Sequence, residues 1–119
     1  MAEQTRPRGK YWCIVRVDFT EPGLEEEFND WYTNEHIPEL LRRPGIYHAW
    51  RLSVEPAIAS IGESGPKYLA VWEIEDPSAF DTEAFKRPPK WGGRWQPYIA
   101  NWTRVFYRVQ ANVERPEDA

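Results

Sequence analysis

Apolar and polar residues alternate along four stretches of the chain, and this pattern predicts four β-strands. The stretches are 10–19, 46–55, 68–75 and 102–110, all rich in aromatic and β-branched residues. In the first strand, the side expected to face the core carries Tyr11, Cys13, Val15 and Val17. The opposite side carries Trp12, Ile14, Arg16 and Asp18. That mixture favours contact with another protein surface over contact with bulk water alone.

The second strand divides in the same way, because successive side chains of a strand point to opposite faces of the sheet. One face would carry Ile46, His48, Trp50 and Leu52, and the other Tyr47, Ala49, Arg51 and Ser53. Residues 59–66 contain two glycines and two serines and predict a loop. The second and third strands are therefore expected to pair as a hairpin with a long loop.

A helical period replaces the alternation after the first strand. Leu24, Phe28 and Trp31 recur on one stripe, with Tyr32 beside it. Pro22 suits the first turn of the helix, and the three glutamates that follow suit the positive end of its dipole. Pro38 disfavours α geometry at the preceding residue and removes one backbone hydrogen bond, so the helix should kink or restart there. The segment 42–45, Arg-Arg-Pro-Gly, predicts its end.

The third strand is followed by a second, shorter helix. Asp76 is a suitable N-cap before Pro77, and the helix is expected to run to about residue 86. Segment 87–100 then predicts a loop of prolines, a Gly-Gly pair and three aromatic residues, Trp91, Trp95 and Tyr98. A loop so rich in aromatic residues is expected to cover a pocket.

The order of elements is β-α-β-β-α-β, which predicts an α+β, ferredoxin-like fold with a four-stranded antiparallel sheet. We expect one domain at 10–112, between a disordered tail at 1–9 and a charged tail at 113–119. Two helices on one face of the sheet would leave the other face bare. Trp12, Ile14 and Trp102 are expected there, so the sequence predicts a homodimer in which one patch is used twice.

Composition narrows the classes of function. Of 119 residues, 41% are hydrophobic and 15% aromatic, and the seven tryptophans indicate a pocket or an interface. A net charge of −4 with scattered basic residues argues against nucleic acid as a partner. No apolar run is long enough to span a membrane, and no signal peptide is recognisable. With a single cysteine, Cys13, expected to be a small buried hydrophobe, these features predict a cytoplasmic protein.

Several kinds of chemistry lack their motifs. Two histidines and one cysteine without paired spacing predict no metal site. No glycine-rich phosphate loop follows a strand, and no nucleophile elbow occurs. The class of chemistry that remains is acid–base chemistry on a small apolar or aromatic molecule. The sequence predicts no bound cofactor.

His36 is the leading catalytic candidate, because an imidazole can act as acid or base near neutral pH. Its alternative is a structural role, capping carbonyl groups freed by Pro38. Glu35 is the second catalytic candidate, since in a regular helix it would lie at the centre of the apolar stripe. A carboxylate buried there would have a raised pKa.

Other residues are candidates for substrate binding. They come from the helix and from the second and third strands: Trp31, Tyr32, His48, Trp50, Arg51 and Trp72. For the aromatic residues and His48, a place in the core is the alternative. Arg51 and Arg16 could hold a carboxylate or enolate, with a salt bridge across the dimer as the alternative.

The segment FNDWYTNEHIPELLRRPGIYHAWRL at 28–52 resembles the dimeric α+β barrel superfamily. It is most similar to the EthD-like (ethyl tert-butyl ether degradation) group, through the pattern W-Y-x-x-E-H-x-P-x-L-x-x-x-P-G. YLAVWEIE at 68–75 and WGGRWQPYIANWTRVFYR at 91–108 extend the similarity to about residues 10–110. The resemblance implies His36 as the functional histidine, with Glu35 and Tyr32 as its neighbours in the motif.

The same superfamily includes cofactor-free monooxygenases, isomerases, cyclases, dehydratases and haem-degrading enzymes, so the resemblance does not select a reaction. The leading hypothesis is a small homodimeric enzyme, a lyase, isomerase, cyclase or cofactor-free oxygenase, acting on an aromatic or polyketide-like compound. The alternative is a non-catalytic binding or accessory protein with the same pocket. Haem binding through a histidine is a third hypothesis.

Overall fold

A four-stranded antiparallel sheet organises the protein in its computed structural model, which describes residues 9–80, 91 and 93–118. The strands are β1 (Tyr11–Phe19), β2 (Ile46–Ser53), β3 (Tyr68–Ile74) and β4 (Ile99–Arg108). Their order in the sheet is β2-β3-β1-β4, with every neighbouring pair antiparallel. The predicted hairpin of the second and third strands and the ferredoxin-like α+β plan are confirmed.

The alternation predicted for β1 is confirmed along the whole strand. Cys13, Val15 and Val17 are buried, whereas Trp12 on the opposite face is 38% exposed. Cys13 is completely buried, and this burial raises the pKa of its thiol to about 12. It is therefore the small buried hydrophobe that the sequence predicts, rather than a reactive thiolate.

The first helical segment changes its geometry three times. A 3₁₀ turn (Pro22–Leu24) leads into α1 (Glu25–Trp31), then a π-helical turn (Tyr32–His36), then α2 (Ile37–Leu41). Ile37 keeps right-handed helical geometry, with φ −61° and ψ −51°, and its N–H donates to the Tyr32 carbonyl five residues earlier. The prediction that the helix kinks or restarts near Pro38 is confirmed as a restart, since the π-helical turn separates α1 from α2, which begins at Ile37.

A β-bulge near the start of β2 changes which residues share a face. Ile46 pairs with Ile74, and His48 pairs with Glu73, so one residue of β2 has no partner in the ladder. Ile46 is buried in the core, whereas His48 lies beyond the bulge on the opposite face. The prediction that Ile46, His48 and Trp50 share one face is therefore wrong for Ile46. Arg51, by contrast, lies on the core face as its partner Ala70 does.

The segment after β3 is described only in part. A 3₁₀ turn (Pro77–Phe80) stands where the second helix was expected to begin, and the rest of the prediction, 81–90, lies outside the described residues. Trp91 and Trp95 of the predicted loop are buried in the core, 6% and 1% exposed. These two tryptophans therefore pack against the sheet and the first helix instead of forming a separate cover.

The face of the sheet opposite the first helix keeps large apolar side chains at its surface. Those more than one-third exposed are Trp12, Trp50, Leu52, Val105 and Tyr107. Trp102 was expected on this face, but it packs against the core on the covered face. Trp102 is two residues from Arg104, which pairs with the buried Val15, so alternation along β4 puts both side chains on the covered face.

At the two ends of the chain, the description begins at residue 9 and stops at residue 118. The Gly9 N–H donates a hydrogen bond to the Glu73 carboxylate at 3.2 Å, and Val109 N–H bonds the Lys10 carbonyl. The remainder of the predicted N-terminal tail lies outside the described residues. No helix in the described part of the chain is long and apolar enough to cross a membrane.

Candidate functional site

The π-helical turn places His36 among aromatic rings. Its imidazole stacks on Trp31, five residues earlier, with the ring centroids 4.9 Å apart and the planes at 19°. It also meets the edge of Tyr32 at 4.8 Å and approaches Trp72 at 6.2 Å. Contact between residues five apart is what a widened turn produces, since a regular helix would bring positions three and four apart together.

The His36 imidazole is neutral near pH 7. Burial, and to a smaller degree the charges of Arg43 and Arg51, lower the pKa of His36 to about 4. Among residues 9–80, 91 and 93–118, no hydrogen bond reaches the ring. Its unprotonated form can accept a proton. The alternative role of His36, capping backbone carbonyl groups, would require a hydrogen bond from the ring to a carbonyl, and none is present within those residues.

A small cavity opens beside His36, between the helix and the covered face of the sheet. Its volume is about 60 Å³, the space of a few water molecules. The described lining residues are mostly aromatic and aliphatic, with one arginine among them: Val15, Tyr32, His36, Leu40, Trp72, Phe80, Trp91, Trp102 and Arg104. An apolar enclosure with a few polar groups is the usual composition of a small-molecule site.

Tyr32 lies between the cavity and a buried cation. Its phenol oxygen accepts a hydrogen bond from the Trp72 side chain. Burial raises the pKa of Tyr32 far above its ordinary value. The Arg51 guanidinium lies over the other side of its ring, 4.3 Å from the centroid. Asn29 accepts a hydrogen bond from Arg51 at 3.0 Å and donates to the Tyr68 hydroxyl at 3.2 Å. Tyr32 is therefore fixed, protonated and presented to the cavity.

Arg51 itself does not line the cavity. Its Nε is buried and has no hydrogen-bond partner in the described part of the chain, and burial lowers the pKa of its guanidinium. The predicted role of Arg51 in holding a carboxylate would require the Tyr32 ring to move. Arg16, the other arginine considered for this role, lies on the bare face and donates to the Ser64 carbonyl at 3.4 Å.

Glu35 is separated from the cavity. It is exposed and faces an open cleft with Trp31 and Arg94, together with the other acids of the helix. The extra residue in the π turn rotates His36 toward the apolar stripe and Glu35 away from it. The prediction of a buried Glu35, as a regular helix would give, is therefore wrong.

The structure divides the predicted binding residues between two faces of the sheet. Trp31, Tyr32 and Trp72 lie with His36 on the covered face. His48 and Trp50 lie on the bare face, where His48 packs on Trp50 at 4.2 Å and Trp50 on Trp12 at 5.5 Å. The expectation that Trp50 and Trp72 line one pocket is wrong, because neighbouring strands place them on opposite sides.

Sequence reasoning missed three lining residues and misplaced a fourth. Leu40, Phe80 and Arg104 were not assigned to the site, and Trp102 was assigned to the other face. The alternation along β4 could have found both Arg104 and Trp102, because Arg104 pairs with the buried Val15 and Trp102 is two residues away.

Metal-ligating groups do not gather at this site. The described residues contain no cluster of three or more histidine, cysteine, aspartate or glutamate side chains that could hold a metal ion.

Neither a family model nor a curated protein sequence matches the chain, but solved structures do. HapK from Hahella chejuensis matches with a TM-score of 0.60 at 15% identity, covering 89% of this chain and 99% of that chain. A putative antibiotic biosynthesis monooxygenase from Bordetella bronchiseptica matches at 0.58 and 14%, covering 86% and 99%. An EthD family protein from Bacillus halodurans C-125 matches at 0.53 and 16%, covering 84% and 99%. At these identities the likeness shows the fold alone, and that fold is the ferredoxin-like α+β plan that the sequence predicts.

Proposed function

We propose that this protein is a small enzyme that performs acid–base chemistry on an aromatic or polyketide-like compound with His36. One observation carries the proposal: a neutral imidazole, without a hydrogen-bond partner among the described residues, lines an aromatic cavity. Positioned proton transfer by a side chain typically contributes about 10²–10⁴-fold to a rate. Two structural neighbours, a putative antibiotic biosynthesis monooxygenase and an EthD family protein, are compatible with chemistry of this kind.

His36 would act first as a base. Because its pKa is held near 4, the resting ring is unprotonated and can take a proton from an acidic C–H or O–H of the substrate. The negative charge left on the substrate would then stabilise the imidazolium, which could return the proton to another atom. Tyr32, protonated at neutral pH, is the second group able to donate a hydrogen bond into the cavity. Removal and return of one proton suits a lyase, isomerase or cyclase, and removal alone suits a cofactor-free oxygenase.

Substrate entry requires a side chain of the wall to move. A cavity of about 60 Å³ is smaller than the roughly 300–1,000 Å³ typical of ligand pockets. Trp91 is the wall most suited to moving, because its backbone has a positive φ of 51°, which is uncommon for a bulky residue. Its ring contacts Tyr32 at 6.1 Å and His36 at 6.5 Å. Rotation of this one ring would open the cavity directly onto the imidazole.

Fluorescence quenching tests the pocket. Phenolic and polycyclic compounds should quench tryptophan emission saturably, and Trp91→Ala should alter the affinity. Trp50→Ala is the matched control, since Trp50 lies on the opposite face and should leave the affinity unchanged. A broad panel of aromatic compounds that leaves the emission unchanged would contradict the pocket.

Turnover of a compound found in this way tests His36. His36→Gln should retain the fold and the melting temperature while lowering turnover by about 10²-fold or more. A variant that melts earlier but keeps its turnover per folded molecule would assign His36 a structural role.

A non-catalytic binding or accessory protein is the second candidate, and one observation favours it. Among the described residues, no carboxylate orients the His36 ring, whereas catalytic histidines commonly have such a partner. Saturable binding of compounds that the wild-type protein never converts, with unchanged binding in His36→Gln, would select this alternative.

Haem is a poor fit for the cavity. The neutral imidazole of His36 is a suitable iron ligand in principle, but a space of about 60 Å³ holds no porphyrin. We derive no step through haem, and we assign no cofactor to the reaction. A Soret band in the purified protein or after haem titration would contradict this assignment.

We also propose that two copies of the chain associate through their bare sheet faces. Trp12 and Trp50 pack on each other there while remaining 38% and 37% exposed, and Val105 and Tyr107 of β4 are also exposed. Large contiguous apolar patches usually mark an interface, and one patch used twice gives a symmetric homodimer.

A further inference from the structure

The π-helical turn brings Trp31 and His36 into a contact that the proton-transfer proposal does not use. Their ring centroids lie 4.9 Å apart and their planes are inclined by 19°, so the imidazole lies nearly parallel to the face of the indole. Residues five apart do not meet in a regular α-helix, where side-chain neighbours are three or four apart. Widened turns are frequent at functional sites. The stacked pair is therefore a direct product of the irregular turn.

Other aromatic rings of the core hold the indole of Trp31 in place. It stacks on Phe28 with the centroids 6.2 Å apart, meets Tyr32 edge-on at 6.0 Å and contacts Trp95 at 6.4 Å. Trp31 is only half-buried, but it packs against the core cluster along this side. Because the indole is held in place, it also fixes the plane of the imidazole that stacks on it.

The contact gains strength when His36 becomes charged. In the proposed reaction a proton moves from a C–H or O–H group of the substrate to a nitrogen of the imidazole, and the bonding electron pair stays on the substrate. The imidazolium so formed is a cation over the electron-rich face of an indole, which is the best aromatic partner for a cation. This attraction acts on the charged form of the ring far more than on the neutral form.

Other described titratable or charged side chains near the ring come from its own turn, the end of α2, β2 and β4: Tyr32, Arg43, Arg51 and Arg104. Burial opposes protonation of His36 most strongly, and the charges of Arg43 and Arg51 add to that effect. In many enzymes a carboxylate bonded to the catalytic histidine orients the ring and stabilises its charged form. The described part of the chain bonds none to His36, whereas it does place an indole face parallel to the ring.

We propose that Trp31 is the positioning residue of the proton transfer: its indole face orients the imidazole of His36 and stabilises the imidazolium. This inference rests on the proposed function, because it names the group that supports His36 in that reaction. The resting imidazole is neutral, so the attraction grows only as the proton moves. An interaction that strengthens in this way raises turnover and leaves the affinity for the substrate nearly unchanged.

Fluorinated tryptophans incorporated at position 31 alone separate the charge of the indole face from its shape. Each fluorine withdraws electron density from the face and changes the size of the ring little. An NMR titration of His36, whose signals are identified by their loss in His36→Gln, should give a pKa that falls stepwise from monofluorinated to trifluorinated tryptophan, by about half a unit or more in total. The proteins are compared at each pH at which the wild-type protein remains folded, so a partial titration is sufficient.

The same fluorinated residues at position 95 are the matched control. Trp95 is 1% exposed, and in the described part of the chain the aromatic rings that it contacts are Phe19, Phe28 and Trp31. Fluorination there should leave the pKa of His36 unchanged. The melting temperature of each labelled protein reports whether the fold is retained.

Trp31→Phe is a second test that needs no labelled amino acid. It keeps a ring beside the imidazole but weakens the attraction for a cation, since phenyl is a poorer partner than indole. For a compound that the wild-type protein turns over, kcat should fall about threefold or more, while KM changes by less than about twofold. A rise in KM with kcat unchanged would assign Trp31 to substrate binding and contradict the positioning role.

The outcomes separate this inference from the proposed function. A pKa of His36 that fluorination at position 31 leaves unchanged, or that falls equally with fluorination at position 95, would overturn the role of Trp31 while leaving His36 as the base. A stepwise fall confined to position 31, in a protein whose His36→Gln variant keeps its turnover, would support the stabilising contact and overturn the proposed function.

Discussion

Both faces of the sheet carry tryptophan side chains, and the faces differ in what covers them. On the covered face, Trp72 is 1% exposed and packs between β1 and the first helix. On the bare face, Trp12 and Trp50 are more than one-third exposed, although they pack on each other. Apolar character alone therefore does not distinguish a pocket from an interface. The position of the helix decides which rings become a cavity wall and which remain available to a second copy.

The largest expected effect concerns the covered face. Trp72→Ala should lower the free energy of unfolding by about 3–5 kcal/mol, the usual cost of removing a buried aromatic ring. Because Trp72 belongs to the core of one chain, this loss should not depend on protein concentration in denaturant titrations. Trp50→Ala is the comparison, and its cost should vary with concentration, since it acts on association. A Trp72→Ala loss below about 1 kcal/mol would mean that the covered face is loosely packed.

The second prediction uses the buried imidazole of that face. His36 has a pKa of about 4 in the folded protein and about 6.5 when unfolded, so the unfolded chain binds more protons between these values. The stabilisation is complete above pH 6.5 and is lost as the pH falls toward 4. The loss amounts to about 3 kcal/mol at most, at roughly 1.4 kcal/mol per pKa unit.

Urea titrations across this pH range measure the effect. The unfolding free energy of His36→Gln should fall less steeply than that of the wild-type protein. His48→Gln, which removes an imidazole from the bare face, should retain the steep fall. Parallel curves for wild type and His36→Gln would show that the ring is not held neutral by burial.

The third prediction concerns the bare face. Light scattering at micromolar concentration should give twice the 14.1 kDa mass of the chain. Trp12→Glu combined with Trp50→Glu should weaken association by about 100-fold or more, because each change places an unpaired charge in an apolar interface. The control is Ile61→Glu, since Ile61 is fully exposed in a loop and should leave the mass unchanged. A monomeric wild-type protein would refute the homodimer.

The smallest expected effect concerns the hydrogen bond that holds Arg51 against Tyr32, a wall of the cavity. Asn29→Ala removes the acceptor of the Arg51 hydrogen bond and should cost about 1–3 kcal/mol, because a partly buried charge loses a partner. Asn34→Ala is the matched control, since Asn34 bonds only Asp30 at the surface and should change the unfolding free energy by less than about 0.5 kcal/mol. Equal effects of the two changes would show that the Arg51 contact contributes no stability.

Local patterns determined most of the architecture. Alternation in four stretches and one helical stripe predicted the four strands, their antiparallel arrangement and the ferredoxin-like order, because both signals depend on the period of side chains along the backbone. The faces of β1 were predicted for the same reason. His36 was singled out from its sequence motif, and the structure lines the cavity with it, although its catalytic role stays a prediction.

Tertiary structure decided which residues share a site, and two local irregularities account for the difference. One extra residue in the π turn brings His36 onto the apolar stripe and turns Glu35 to solvent. One bulged residue at the start of β2 places Ile46 in the core and leaves His48 and Trp50 beyond it on the bare face. Each extra residue shifts every following side chain relative to its neighbours. The pattern of hydrophobic positions does not predict this shift, because the energy that stabilises it comes from packing between distant segments.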